Sequence, residues 1–132
     1  MSAPLEELLE AARAASRSAY CPYSHFHVGA AVRAGGRIFA GANVENASYG
    51  LTVCAERTAA FAAVLAGAGR IEAVAVACVD APEGSDPTGL MPCGACRQVL
   101  AEFAGPETPV VVDRAGTFTL AELLPMAFRL RG

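Results

Sequence analysis

Three thiols and a carboxylate stand where one metal ion could gather them: Cys54 and Glu56 in the run Cys54-Ala55-Glu56, and Cys93 and Cys96 in Pro92-Cys93-Gly94-Ala95-Cys96. A structural zinc takes four protein ligands, whereas a catalytic zinc keeps three and leaves a tetrahedral position open to water or substrate. Three cysteines with an acid two residues from the first point to the second kind, a hydrolytic centre with one Zn2+ per subunit. Cys93 and Cys96 are three apart at the start of an expected helix, so their side chains share a face, while Cys54 opens another helix. Each free thiol costs only about 2 kcal/mol to ionise at neutral pH. Zinc binding supplies roughly 10 to 16 kcal/mol, so the metal governs the protonation of the cluster.

Three thiolates on a divalent cation leave one net negative charge, which makes the metal a poorer Lewis acid. Arg57 is the expected donor to the sulfurs that offsets this charge, with the two helix dipoles assisting. Glu56 cannot share a helical face with Cys54, yet in the first turn its long side chain can reach the open metal position. An acid there would take a proton from water and hand it to a ring nitrogen, then to a departing amine. Two competing readings of the cluster are a structural four-thiolate site completed by Cys21 or Cys78, and ligation by His25 or His27. Cys78 sits in an apolar strand and reads as a small hydrophobe, and Cys21 lacks the paired spacing of a ligand.

The elements that must position these groups follow from periodicity. Leu5, Leu8, Leu9, Ala12 and Ala15 recur at helical spacing, with Glu6, Glu7 and Glu10 near the positive end of the dipole, which predicts a helix over residues 3–18 ended by Pro22 at the latest. Two strand-like runs over residues 27–33 and 38–44 flank Ala34-Gly35-Gly36-Arg37 and predict a hairpin. An alanine-rich helix over residues 54–68, an apolar strand over 71–79, a proline-rich loop over 80–92, a helix from 93 to about 103 and a strand over 109–113 follow. Right-handed crossovers then pair the third and fourth strands in parallel, and the core is α/β. Arg114-Ala115-Gly116 turns into a short strand around Phe118, and Thr119 with Glu122 predicts a capping box for a closing helix through Leu124.

A chain of 132 residues has room for one core, so residues 1–132 read as a single domain. Apolar residues make up 54% of it, enough to leave surface for a partner subunit. A net charge of −3 and ten scattered arginines disfavour a nucleic-acid partner. The chain carries no apolar run long enough for a membrane and no signal peptide, and is expected to be soluble and cytoplasmic. Five cysteines, an odd number, argue for metal ligation over a disulfide framework.

The cysteines and Glu56 match the known signature of zinc nucleobase deaminases, in which the glutamate is not a ligand. The chain resembles the small free-nucleoside cytidine deaminases. The likeness runs from about residue 16 to 128, through Tyr23-Ser24, Phe26, Val28-Gly29-Ala30, residues 43–49, Cys54-Ala55-Glu56-Arg57-Thr58-Ala59 and Pro92-Cys93-Gly94-Ala95-Cys96-Arg97-Gln98. It implies a three-layer sandwich, a five-stranded mixed sheet flanked by helices with its last two strands antiparallel, assembled as a homotetramer with shared active sites. It also implies that Asn43 and Glu45 grip the ribose hydroxyls, that Phe26 packs on the pyrimidine, that Ala55 contacts the substrate, and that Tyr49 and Phe128 reach into neighbouring subunits' sites. The end departs from the family: Arg129-Leu130-Arg131-Gly132 stands where a Gly-Pro-acidic tail is common, and Met126 where a small residue is common.

The implied reaction is hydrolytic deamination of cytidine and 2′-deoxycytidine to uridine and 2′-deoxyuridine with release of ammonia, a pyrimidine-salvage step. A related aminonucleoside deaminase, such as one acting on blasticidin S, shares the cysteine arrangement. A non-catalytic zinc module is the reading from another class. Deaminases acting on polynucleotides commonly have histidine as first ligand, and Cys54 in that place favours a small substrate.

Overall fold

The structure, a computed structural model, describes residues 1–130; Arg131 and Gly132 of the divergent tail lie outside the described residues. Helix α1 (Ala3–Ala15) is capped by the Ser2 hydroxyl, which accepts from the Leu5 amide, and a 3-10 turn over Ser16–Ser18 completes the first predicted helix. Strands β1 (Val28–Ala34) and β2 (Arg37–Ala42) form the expected hairpin. Gly35 and Gly36 both have positive φ, 58° and 73°, the two-residue turn whose twist suits antiparallel strands. Both strands are offset from the sequence reading. The His27 amide donates to the Asp80 carboxylate and not to the ladder, so β1 starts at Val28. Val44 leaves β2 for single bridges to Tyr20 and Val53.

Helix α2 (Ala55–Leu65), strand β3 (Ile71–Cys78), helix α3 (Gly94–Phe103) and strands β4 (Pro109–Val112) and β5 (Gly116–Thr119) follow, then the short α4 (Leu120–Leu123). The Thr119–Glu122 capping box is present. Two 3-10 turns are present, Pro87–Leu90 within the predicted proline-rich loop and Tyr49–Leu51 in a segment to which the sequence assigned no element. The sheet order is β2-β1-β3-β4-β5, with β3 and β4 parallel and every other pair antiparallel. That the hairpin docks through β1 onto β3 was not legible in the sequence.

Alternation along the strands separates two cores. Ala73, Ala75 and Ala77 of β3 face α1, whose Leu8, Leu9 and Ala12 cover them, while Val74, Val76 and Cys78 face the side of α2 and α3. The small residues under α1 let the helix backbone approach the sheet. A Cβ placed on Gly29 would lie 1.8 Å from the Ala12 carbonyl oxygen and 2.7 Å from the Ser16 nitrogen. Both are backbone atoms and cannot swing aside. Gly29→Ala is therefore expected to cost at least about 3 kcal/mol, read as a lowered urea midpoint at unchanged slope.

Candidate active site

The first turns of α2 and α3 meet beside the C-terminal end of the central strand β3. Cys54 is the N-cap of α2 and Cys93 the N-cap of α3, both in extended backbone and neither making a side-chain cap hydrogen bond. Cys96 lies one turn into α3, where the N-cap to N3 relation folds its side chain back toward Cys93. The sulfurs converge: Cys54 to Cys93 is 3.9 Å, Cys93 to Cys96 is 3.4 Å, and all three lie within 4.8 Å of one another. Sulfurs on a tetrahedral zinc at 2.3 Å bond lengths stand about 3.8 Å apart, so the donor set fits that ion in both chemistry and spacing. Cys21, Cys78, His25 and His27 stay outside this cluster. Cys78 donates to the Leu90 carbonyl, and His27 Nδ1 pairs with Asp80 at 2.6 Å.

The electrostatics favour charge on these sulfurs. Two helix N-termini point at them, and the Arg57 guanidinium reaches back from α2 to lie 3.6 Å from Cys54 Sγ. Hydrogen bonding to Cys96, then to Arg57 and Cys93, pulls the Cys54 thiol down to about 5. The same Cys54 contact, with burial, pushes Cys96 upward. One proton leaves this cluster easily and the last only against existing negative charge, which a divalent cation would neutralise.

Beside the cluster opens a cavity of about 230 Å³ lined by Phe26, Val28, Asn43, Ala55, Val76, Met91 and others, with Glu56, Cys54 and Cys93 also on its wall. Its size suits one heterocycle, with a sugar left at the mouth. Glu56 is only 4% exposed, and burial pushes its carboxyl up to about 7. The acid and two of the cysteines thus face one space. A larger hollow of about 570 Å³ near the end of α3 is lined by no cysteine or histidine and gathers no chemistry.

The polar residues Asn43 and Glu45 after β2 are engaged with the segment leading into β1. The Asn43 amide clamps the loop before β1, accepting from the Val28 amide at 2.9 Å and donating to the Phe26 carbonyl at 2.8 Å. That clamp sets the backbone on either side of the Phe26 ring. Glu45 is not part of the cavity wall; its carboxylate accepts from the Tyr23 amide at 3.0 Å, the Ser24 amide at 3.1 Å and the Ser24 hydroxyl. Tyr49 is 75% exposed and meets Tyr23 edge-on at 6.5 Å between ring centroids. Phe128 is 69% exposed, its carbonyl held by Gln98 at 2.9 Å. Neither aromatic lines its own chain's cavity. Thr52, Val76, Cys78, Gly89 and Met91 of the wall escaped the sequence reading. Thr52, Gly89 and Met91 lie within three residues of the two cysteine motifs and had a positional signal; Val76 and Cys78 are distant in sequence from both.

Comparison with known proteins bears on this geometry. The family model described as the cytidine and deoxycytidylate deaminase zinc-binding region matches residues 2–112. A cytidine deaminase of Sporosarcina psychrophila is 46% identical over 129 residues, covering 94% of this chain and 90% of that protein. Crystal structures of cytidine deaminases superpose closely. That from Burkholderia pseudomallei does so with a TM-score of 0.82 at 45% identity, covering 97% of this chain and 100% of that one. That from Mycobacterium tuberculosis gives 0.82 at 42% identity, covering 98% and 100%.

Proposed function

The chain belongs to the cytidine and deoxycytidylate deaminase family, and from that premise we propose that it hydrolyses cytidine and 2′-deoxycytidine to uridine and 2′-deoxyuridine, releasing ammonia. The observation that carries this reading is the convergence of Cys54, Cys93 and Cys96 beside a buried Glu56 on the wall of a ring-sized cavity. Cys54, Cys93 and Cys96 would hold one zinc, which supplies Lewis acidity toward water at neutral pH. Arg57, against Cys54, offsets the excess negative charge of three thiolates.

The chain's own residues account for the proton traffic. As water adds to C4, Glu56 accepts one of its protons and places it on ring nitrogen N3. The C4–N4 bond then breaks as Glu56 carries the second proton to N4, so that ammonia leaves and the uracil ring keeps its N3 proton. Phe26 and Ala55 flank the pyrimidine, and Glu45, with Asn43, takes the sugar hydroxyls at the mouth. The relatives are named cytidine deaminases, which does not favour the blasticidin S alternative.

A homotetramer with shared sites is part of the same proposal. Tyr49, Phe128, Leu51 and Leu65 are exposed apolar groups that a neighbouring copy would cover, and Tyr49 and Phe128 are the two expected to complete a neighbour's site. We read residues 1–132 as one domain, in the cytoplasm and in pyrimidine salvage; no helix among the described residues is long and apolar enough to cross a membrane. The decisive measurement is ammonia release across a panel of cytidine, 2′-deoxycytidine, 2′-deoxycytidylate, cytosine and blasticidin S, with zinc and molar mass determined on the same sample. Turnover of the two nucleosides at one zinc per chain is expected, in a particle of four chains. A fully zinc-loaded protein inert toward both nucleosides would refute the reading.

A further inference from the structure

The segment leading into Phe26 is tied to Glu45 by two amides and one hydroxyl, and only the hydroxyl, that of Ser24, also meets Phe26. His25 adopts a left-handed backbone, φ 58°, and its amide donates to the Cys21 carbonyl at 2.9 Å, reversing the chain between Ser24 and Phe26. That reversal brings the Phe26 amide to within 3.0 Å of Ser24 Oγ, where it donates. A hydroxyl has one proton to give. With one lone pair taken up by the Phe26 N–H, that proton is directed to Glu45, whose carboxylate receives it on Oε2 while Oε1 accepts the Tyr23 and Ser24 amides. These three donors hold the Glu45 carboxyl below the usual carboxylate range, the Ser24 hydroxyl most of all. The Glu45 backbone is fixed as well, its amide donating to the Tyr20 carbonyl at 2.8 Å. A carboxylate near the surface would otherwise rotate freely about its side-chain torsions.

We propose that Ser24 is a positioning residue for sugar recognition: its hydroxyl fixes the Glu45 carboxylate relative to the Phe26 wall, so that the ring site and the sugar-gripping acid are set by one hydrogen-bonded turn. This rests on the reading of Glu45 as a ligand of the ribose hydroxyls. Ser24 is neither a zinc ligand nor a wall residue, and its hydroxyl bonds only Glu45 and the Phe26 amide, so its removal acts through those two.

The test compares kcat/KM for cytidine with that for 2′,3′-dideoxycytidine, which lacks the hydroxyls, in the parent, Ser24→Ala, Ser24→Thr and Glu45→Gln. Loosening of Phe26 would weaken both substrates alike and leave the ratio unchanged. In Ser24→Ala the preference for cytidine is expected to fall about tenfold, the scale of one charge-assisted hydrogen bond, through KM and with kcat within twofold. Ser24→Thr, which keeps the hydroxyl, restores it. Zinc content and melting temperature serve as folding controls for all variants. If Glu45→Gln lowers the preference and Ser24→Ala does not, the positioning role is refuted while the Glu45 reading stands. If Glu45→Gln leaves the preference at the parent value, the Glu45 reading fails and the role of Ser24 fails with it.

Discussion

Glu56→Gln is expected to lower kcat by about 10³- to 10⁴-fold, the full worth of an acid-base group that moves both protons of the reaction. The substitution keeps the shape of the side chain and removes only its ability to take and return a proton. Because Glu56 is buried beside the cluster and its charge opposes that of Cys54, a neutral glutamine relieves repulsion near the thiolates. Zinc content should therefore stay at one per chain. Cytidine should still bind, since Phe26, Ala55 and the groups at the mouth are untouched. Direct calorimetric titration of cytidine into the variant, metal analysis and single-turnover kinetics separate these quantities. Activity within tenfold of the parent would remove Glu56 from the proton path.

Loss of the metal should be equally complete and differently reversible. Exhaustive chelation is expected to abolish turnover, and stoichiometric zinc to restore it, whereas Cys96→Ala should hold only a small fraction of one zinc per chain and gain nothing from added metal. Cys96 is fully buried and sits within reach of both other sulfurs, so no water-exposed group can take its place as donor. The metal-free protein should stay folded, because the packed faces of β1, β3 and β4 need no ligand from the cluster. It should melt lower by on the order of 10 °C, as the binding free energy no longer adds to that of folding. A chelated sample with undiminished turnover would overturn the metal assignment.

What could be read in advance had short physical range. Cys93 and Cys96 face the same point because an N-cap and the third residue of its helix are neighbours in space, whatever the rest of the chain does. The Gly35-Gly36 turn, the capping box at Thr119 and Glu122, and the parallel pairing of β3 with β4 likewise follow from local backbone preference and crossover handedness. The resemblance to a known family supplied the expectations for Glu45, Tyr49 and Phe128, which no local pattern contained.

The remainder depended on how the elements close on one another. Only packing brings the N-cap of α2 against that of α3, and only the docking of β1 on β3 places Phe26 and Val28 opposite Val76 and Cys78. The amide of Asn43 and the carboxylate of Glu45 turned out to be engaged with the loop before β1 and its first residue, a partnership between residues 15 to 22 positions apart. Spacing within one turn is fixed by the helix itself, and so the Cys93 and Cys96 pair was determined by the sequence alone, whereas its meeting with Cys54 was not. Contacts across the sheet are fixed by which apolar faces bury together and by the clearance left at Gly29 and Gly41, and these only the tertiary structure decided.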